Sequence, residues 1–285
     1  MRIKSSRSLS SSQNELLRKR YSGIQPQYFP RLHYFARILN ADIFVIRDEA
    51  QYVRKHKYPD GKVDKSYQAH TPIKQSFGRQ LLTVTTKHGG LNPINKTQVS
   101  YDHDWVAEHL KTLQVSYNKS PYFSQAYKEI ENILNVKYSD LASLNNATIF
   151  WGILRLLGEE DIITNMLSID FVNKKLQTQE IFRLKKIIKA SETIAVKAFD
   201  AISANEKIVA LCAEVGTNED YCGGTGASAY MDEDIFARNN IKITVQDWKC
   251  KEYPQLFDKL GFIPNLSIID LLTNVSAKDA AKLVS

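Results

Sequence analysis

The sequence predicts an α/β fold, with a Rossmann-like open and mostly parallel sheet, flanking helices and a helical middle segment. Two observations predict it. Near the N-terminus a β-rich segment at Tyr21–Gln25, apolar residues at helical spacing from Leu32, and a second β-rich segment at Ala41–Arg47 follow one another. This is the order of a βαβ unit. Further along, predicted strands at Asp220–Cys222 and Lys242–Gln246 are separated by a helical pattern.

Residues 1–20 are expected to form a basic, Ser-rich disordered tail, followed by a single α/β domain at residues 21–285. The net charge of the chain is +7, and the first 20 residues contribute +5 of it. A nucleic-acid-binding domain carries its basic residues on a folded surface, so this distribution predicts no specific nucleic-acid partner. No secretory signal or transmembrane segment is recognisable, and a cytoplasmic location is therefore expected.

The middle of the domain, about residues 104–200, is predicted to be largely helical. Residues 104–157 have three consecutive helical segments. The segment Ile162–Ile169 is predicted to return to the sheet, and Gln177–Lys189 has the apolar spacing of an amphipathic helix. Two further strands are predicted ahead of this region: Leu81–Thr86 and Thr97–Tyr101.

Two predicted helix starts have the spacing of a capping box, in which a Ser and an acid three residues later bond each other's backbone amides. Ser203 and Glu206 form one such pair, and Ser267 and Asp270 form the other. The chain has three cysteines, an odd and sparse set that argues against a disulfide framework. No CxxC or HxxxH spacing accompanies them, so no metal site is predicted.

Three separated blocks of the sequence carry a family resemblance. They are IQPQYFP at 24–30 with residues 34–52, YCGGTGA at 221–227 with residues 230–232, and YPQ at 253–255 with FIPNLSIIDLL at 262–272. In this order and spacing they resemble the WbqC-like family of bacterial proteins, over nearly the whole of residues 22–275. Members of that family occur in surface-polysaccharide, or O-antigen, gene clusters. The resemblance implies transfer of an aminoacyl group, of the glycyl type, to a sugar.

The predicted site lies where strands end, because ligands of open α/β sheets bind beyond the carboxyl ends of the strands. Asp48 follows the second predicted strand and is the predicted catalytic base. Gly223, Gly224 and Gly226 form a turn whose backbone amides are expected to hold a phosphate or a developing oxyanion. The other predicted substrate-binding residues are Gln25, Tyr28, Gln51, Tyr52, Lys74, Tyr230, Gln255 and Asn265.

Two alternatives to the transferase stay open. In the first, the chain is a nucleotide-dependent ligase or nucleotidylyl transferase, since Phe29-Pro30 and His33 ahead of a helix loosely resemble the phosphate-binding loop of nucleotidylyl-transferase folds. In the second, it is a non-catalytic partner of a glycan-assembly complex. The transferase hypothesis implies a small-molecule or nucleotide-sugar substrate; the sequence identifies no cofactor and no oligomeric state.

Overall fold

A five-stranded parallel sheet, in the strand order β7-β2-β1-β8-β9, forms the centre of the fold. The computed structural model describes residues 18–57, 61, 63–87, 89–197, 203–224 and 231–285. The sheet strands are β1 (Arg20–Ile24), β2 (Ile43–Ile46), β7 (Lys186–Lys189), β8 (Glu219–Cys222) and β9 (Lys242–Val245). Two antiparallel hairpins lie outside it: β3 (Lys55–Lys57) with β4 (Val63–Lys65), and β5 (His70–Gln75) with β6 (Gly78–Thr83).

The helices flank the sheet and fill the middle of the chain. They are α1 (Leu32–Leu39), α2 (Trp105–Tyr117), α3 (Phe123–Leu134), α4 (Leu141–Leu156), α5 (Ile169–Thr178), α6 (Ile194–Lys197), α7 (Ala204–Glu214), α8 (Glu233–Arg238), α9 (Ile268–Asn274) and α10 (Ala277–Val284). The Rossmann-like fold and the three helices predicted across residues 104–157 are confirmed. Within the described part of the chain, no helix is both long and apolar enough to cross a membrane.

The sheet separates two hydrophobic cores. Side chains of a strand alternate between its faces, and β2 (IFVI) is buried on both. Phe44 and Ile46 face the larger core, which contains α1 and α4. Ile43 and Val45 face a smaller core against α7, where Cys212 is also buried. The strongly apolar sequence of β2 follows from this two-sided burial.

The strand order places the topological switch point between β1 and β8. From β1 the chain moves outward to β2 and then β7, and it returns on the other side of β1 with β8 and β9. In open α/β sheets, the crevice beyond the carboxyl ends of the two strands at such a point binds ligands. We call the edge formed by these strand ends the carboxyl edge.

Two sequence predictions in the helical region are wrong. Residues Ile162–Ile169 do not return to the sheet; they contain a 3-10 turn at Thr164–Met166, and Ser168 caps α5. The strand that joins the sheet is instead Lys186–Lys189, inside the predicted helix Gln177–Lys189. The side-chain amide of Asn173 bonds both the N–H and the C=O of Ile187, an edge-strand anchor that a local pattern does not reveal.

The sequence pattern does not predict the β5–β6 hairpin. Residues Leu81–Thr86 were predicted as a strand, but β6 ends at Thr83 and pairs with β5 rather than with the main sheet. Thr97–Tyr101 forms isolated bridges, from Gln98 and Val99, instead of a strand. Every residue of β5 is buried, so its polar positions carry no alternating pattern.

The predicted helix starts are mostly confirmed. Ser203 and Glu206 form a complete capping box at α7. Ser267 caps α9 by accepting a hydrogen bond from the Ile269 amide. Asp270 does not complete a capping box there, because its carboxylate accepts hydrogen bonds from two buried tyrosines instead.

Candidate functional site

The loop between β1 and α1, residues 25–30, is fixed by side-chain hydroxyls beneath it. Phe29 has φ +36°, a left-handed conformation that is strained for a bulky residue. Its N–H donates to Thr148 Oγ1 at 3.0 Å, and its C=O accepts from Thr71 Oγ1 at 2.6 Å and Ser267 Oγ at 3.0 Å. Asn145 also donates to the Pro26 carbonyl. The loop is therefore held rigidly at the carboxyl edge, with Gln25 exposed.

The N-terminus of α1 follows this loop, but its first amides are already paired. Leu32 N–H donates to the Leu266 carbonyl, and His33 N–H donates to Asn265 Oδ1 at 3.0 Å. Tyr34 N–H donates to the Arg31 carbonyl. Phosphate binding at a helix N-terminus requires free amides, so this end of α1 is poorly suited to it.

His33 and Asn265 are joined side by side at the same place. Burial and the nearby charges of Arg31 and Arg37 lower the pKa of His33 to about 3, so the ring is neutral at physiological pH. His33 Nδ1 lies 3.1 Å from Asn265 Oδ1, a geometry that requires the proton on Nδ1. Asn265, which has φ +57°, thus connects the start of α1 to the segment before α9.

Beyond β8, Gly223 leaves room for a neighbouring side chain and has no unusual backbone conformation. Among the described glycines, Gly223 and Gly224 do not have positive φ. A Cβ on Gly223 would lie 2.4 Å from a guanidinium nitrogen of Arg37, whose Nε donates to Gln246 Oε1. Gly226 and Tyr230 lie outside the described residues. Burial raises the pKa of the preceding Cys222 to about 12, so it is a thiol and a poor nucleophile.

Asp48 lies at the carboxyl edge, and both oxygens of its carboxylate accept hydrogen bonds. One oxygen accepts from the Ser191 N–H at 3.0 Å and the other from Ser191 Oγ at 2.6 Å. Asn95 approaches the same group at 3.5 Å. Asp48 therefore ties the end of β2 to the residues after β7, on the side away from β8. Because neighbouring strands are about 4.8 Å apart, β2 and β8 are separated by ~10 Å.

A second carboxylate lies at the switch point itself. Asp220, on β8, is 3% exposed, and none of the described residues donates a hydrogen bond to it. Burial raises the pKa of Asp220 to about 7, against the opposing effect of Arg47 and Arg37. Such a pKa suits a group that exchanges protons at neutral pH.

The neighbours of Asp220 are also incompletely paired. Tyr21, its register partner on β1, is 1% exposed. Its hydroxyl lies close to the Arg47 guanidinium but makes no hydrogen bond of good geometry with any described residue. Burial raises the pKa of Tyr21 well above its usual value, and the charges of Asp220 and Glu49 act in the same direction. Glu49 Oε1 binds Arg47 Nε at 2.6 Å, whereas Glu49 Oε2 is buried without a partner. We call Tyr21, Arg47, Glu49 and Asp220 the switch-point cluster.

Three predicted site residues lie away from this edge or face the core. Tyr28 is fully buried, with its hydroxyl 3.0 Å from His109 Nδ1. Gln51 is exposed and bridges to Pro93, and the Tyr52 hydroxyl lies 3.5 Å from Thr86 Oγ1.

Lys74 and Gln255 belong to the packing around α9. Lys74 is 1% exposed, and its Nζ donates to the Gly261 carbonyl at 2.7 Å. Gln255 bonds both the N–H and the C=O of Ile263. Nearby, Asp270 accepts from Tyr117 at 2.8 Å and Tyr253 at 2.7 Å. Burial raises the pKa of Asp270 to about 6, opposed mainly by these tyrosine hydrogen bonds.

Tyr21, Arg37, Arg47, Glu49, Asp220 and Gln246 were missed by sequence reasoning. One signal was available in β8, whose sequence is EDYC. Strands of a parallel sheet with helices on both faces are usually continuous apolar runs. Two adjacent acids in such a strand are costly to bury, which marks Glu219 and Asp220 for attention. Glu219 is explained by its 3.1 Å ion pair with Arg20, and Asp220 is not.

One cavity of the described structure lies elsewhere. It has a volume of about 480 Å³ and is lined by residues that include Tyr122, Tyr253, Asn274 and Lys282. None of the predicted site residues lines it. No group of three or more His, Cys, Asp and Glu in the described ranges is arranged to hold a metal ion.

Comparisons with known proteins agree with the resemblance found in the sequence. The model of the WbqC-like protein family matches residues 25–282. The chain is 25% identical over 263 residues to the uncharacterized protein Rv1507c of Mycobacterium tuberculosis, a match that covers 91% of this chain and 95% of the relative. No solved structure matches the chain.

Proposed function

Because the chain belongs to the WbqC-like protein family, we propose that it transfers an aminoacyl group, of the glycyl type, to a sugar during surface-polysaccharide biosynthesis in the cytoplasm. The observation that carries the proposal is the rigid carboxyl edge at the switch point. There, a strained loop held by Thr148, Thr71 and Ser267 lies beside the end of β8. Strain of this kind is retained where a binding geometry must be fixed in advance.

Aminoacyl transfer needs three things at such a site. A base must accept the proton of the attacking amine or hydroxyl, donors must stabilise the oxyanion of the tetrahedral intermediate, and the acyl donor must be held in line. The turn that begins at Gly223 is the proposed source of backbone donors.

Two carboxylates at the carboxyl edge compete for the role of base. The sequence predicts Asp48, which remains a proposal, but its oxygens are bonded to Ser191. Asp220 is next to the switch point and has a pKa of about 7. The position of Asp220 and the bonded oxygens of Asp48 therefore favour Asp220 as the group that accepts the proton.

The competing functions are separated by what the reaction releases. A nucleotidylyl transferase would depend on magnesium and release pyrophosphate, whereas acyl transfer from an activated ester or thioester does neither. The paired amides at the start of α1 count against a phosphate-binding loop there. A non-catalytic partner of a glycan-assembly complex would show no turnover and would co-purify with a glycosyltransferase.

The test is a mass-spectrometric assay of purified protein with nucleotide-linked amino sugars and glycyl thioester or glycyl ester donors. The proposal predicts that the sugar gains one aminoacyl residue without magnesium and without pyrophosphate release. Product that forms only with nucleoside triphosphate and magnesium would contradict it and support the ligase alternative.

A further inference from the structure

We propose that Tyr21, Glu49 and Asp220 form a buried subsite that binds the primary amine of an amino sugar, with Asp220 as the group that accepts the amine's proton. The subsite deepens the proposed function, on which the identity of the amine as acyl acceptor rests. The binding claim stands separately on the geometry of the switch-point cluster.

The first observation is the number of unsatisfied oxygens in one place. Most buried polar side-chain atoms in proteins have a hydrogen-bond partner, so each exception requires an explanation. Among the described residues, the Tyr21 hydroxyl and Glu49 Oε2 are buried without a hydrogen bond of good geometry, and the Asp220 carboxylate lies on the strand beside Tyr21. Tyr21 and Asp220 are neighbours in the sheet register, and the charges of Arg47, Asp220 and Glu49 all act on the Tyr21 hydroxyl.

The second observation is where these oxygens lie. Tyr21 and Asp220 are register partners on β1 and β8, the two strands that flank the switch point. The Tyr21 ring extends along β1 over Gly23, toward the carboxyl edge. Arg47 and Glu49 follow the end of β2 at that same edge. The acceptor oxygens of the cluster thus lie below the crevice where an α/β sheet binds its ligand.

The chemistry of the cluster selects a hydrogen-bond donor that carries positive charge. Two carboxylates and a hydroxyl offer mainly acceptor capacity, which disfavours phosphate or carboxylate ligands. The charge of Arg47 is balanced by Glu49 at 2.6 Å. Arg47 and Arg37 both lie near enough to lower the pKa of Asp220, but Arg47 is paired with Glu49 and the Arg37 Nε donates to Gln246. Asp220 forms no ion pair within the described part of the chain, so its negative charge is the one that a cationic ligand can pair with. An ammonium group has three donors, which the two unpaired oxygens of Tyr21 and Glu49 and the Asp220 carboxylate can accept.

In the proposed transfer, Asp220 accepts the first proton of the amine and the leaving group accepts the second. Asp220 takes a proton from the sugar ammonium and leaves a free amine. The amine nitrogen then attacks the acyl carbon of an activated ester or thioester, and its bond to that carbon forms as the carbon–oxygen or carbon–sulfur bond breaks. The second proton lost by the nitrogen goes to the departing alkoxide or thiolate. Asp220 returns its proton to solvent.

Titration calorimetry on the full chain tests the binding claim, with UDP-glucosamine as the probe and UDP-glucose as its hydroxyl analogue. We expect the wild type to bind the amine at least about tenfold more tightly than the hydroxyl analogue. That preference should rise with pH as Asp220 ionises and fall again as the free amine loses its charge, a bell-shaped dependence. Asp220→Asn should abolish both the preference and its rising limb.

Two variants complete the test. Tyr21→Phe should weaken amine binding without removing its pH dependence, since Asp220 remains. Asp64→Asn, a substitution in β4 outside the main sheet, should behave as the wild type. If Asp220→Asn keeps the preference for the amine, the subsite is wrong. It is also wrong if the wild type binds UDP-glucosamine no better than UDP-glucose. In that case water, and not an amine, occupies the cluster.

The same variants separate a failure of the subsite from a failure of the proposed function. If Asp220 governs amine binding but no acyl transfer occurs with any donor, the subsite is right and the proposed function is wrong. If acyl transfer to amino sugars occurs and Asp220→Asn leaves kcat and KM unchanged, the proposed function is right and the subsite is wrong.

Discussion

The ring of Tyr21 lies directly over Gly23, so that a Cβ on residue 23 would come within 1.9 Å of the tyrosine hydroxyl. Tyr21 is 1% exposed and has little room to move. The absence of a side chain at Gly23 is therefore what allows the hydroxyl to reach the switch-point cluster from within the sheet.

Substituting Gly23 tests this dependence. Gly23→Ala must displace the Tyr21 ring, and overpacking of this kind costs about 1–3 kcal/mol. We expect a lower Tm and a clear loss of affinity for UDP-glucosamine. Gly89→Ala is the control, because Gly89 is exposed and its new Cβ would meet only the end of the Asn92 side chain, which can move aside. Equal amine affinity of Gly23→Ala and wild type would show that the position of Tyr21 does not matter.

Asp220 should make the protein less stable as the pH rises. Its pKa is about 7 in the folded protein, against about 3.9 in an unfolded chain. Between these values the folded state binds more protons than the unfolded state, so the free energy of unfolding falls with increasing pH and levels off above about 7. The loss has an upper limit of about 4 kcal/mol, since one pKa unit corresponds to about 1.4 kcal/mol.

Asp220→Asn should remove that slope and be more stable than the wild type at about pH 8. Urea denaturation across about pH 5–8 measures it. The control is Asp279→Asn, because Lys282 and Ser276 lower the pKa of the exposed Asp279, which makes its small effect opposite in sign. Parallel pH profiles for the wild type and Asp220→Asn would contradict a buried carboxylate with a raised pKa at this position.

Asp48 and Ser191 should behave as one structural tie. Removing either partner leaves a buried polar group unsatisfied, at a cost of about 1–3 kcal/mol. Asp48→Asn and Ser191→Ala are therefore each expected to lower stability, and their double mutant should be markedly less destabilised than the sum of the two. Additive effects on the urea midpoint would mean that the two side chains do not interact in solution.

Asp270 is expected to be structural. Asp270→Ala leaves Tyr117 and Tyr253 without their acceptor and Lys74 without the nearby negative charge. Breaking a buried charged network by removing one member costs about 3–5 kcal/mol. Tyr253→Phe removes one hydrogen bond and should cost only about 1 kcal/mol. A urea-denaturation midpoint for Asp270→Ala close to that of Tyr253→Phe would refute the network.

Much of the fold could be predicted because its signals are local. The apolar run at Ile43–Ile46, the capping box at Ser203 and the helical spacing of residues 104–157 each depend on neighbours within one element. The edge strand Lys186–Lys189 could not be predicted in this way, because its pairing with β2 and its hydrogen bonds to Asn173 are tertiary contacts.

The candidate site was predicted less completely, for a related reason. Gln25, Asp48, Gly223 and Asn265 follow strands or precede helices, so their place near the carboxyl edge could be inferred from element order. Whether a side chain there is free or bonded depends on partners far along the chain. Ser191, for example, donates hydrogen bonds to the Asp48 carboxylate although it lies 143 residues further along the chain.

The role of Asp220 as the base is tested most directly by the pH dependence of kcat/KM for aminoacyl transfer to UDP-glucosamine, measured for the wild type, Asp220→Asn and Asp48→Asn. We predict a wild-type profile whose acidic limb has an apparent pKa near that of Asp220, about 7. Asp220→Asn should lose this limb and at least about a hundredfold in kcat/KM, within the range typical of general-base catalysis. Asp48→Asn should keep the limb. A limb that persists in Asp220→Asn and disappears in Asp48→Asn would contradict the account and return the role of base to Asp48.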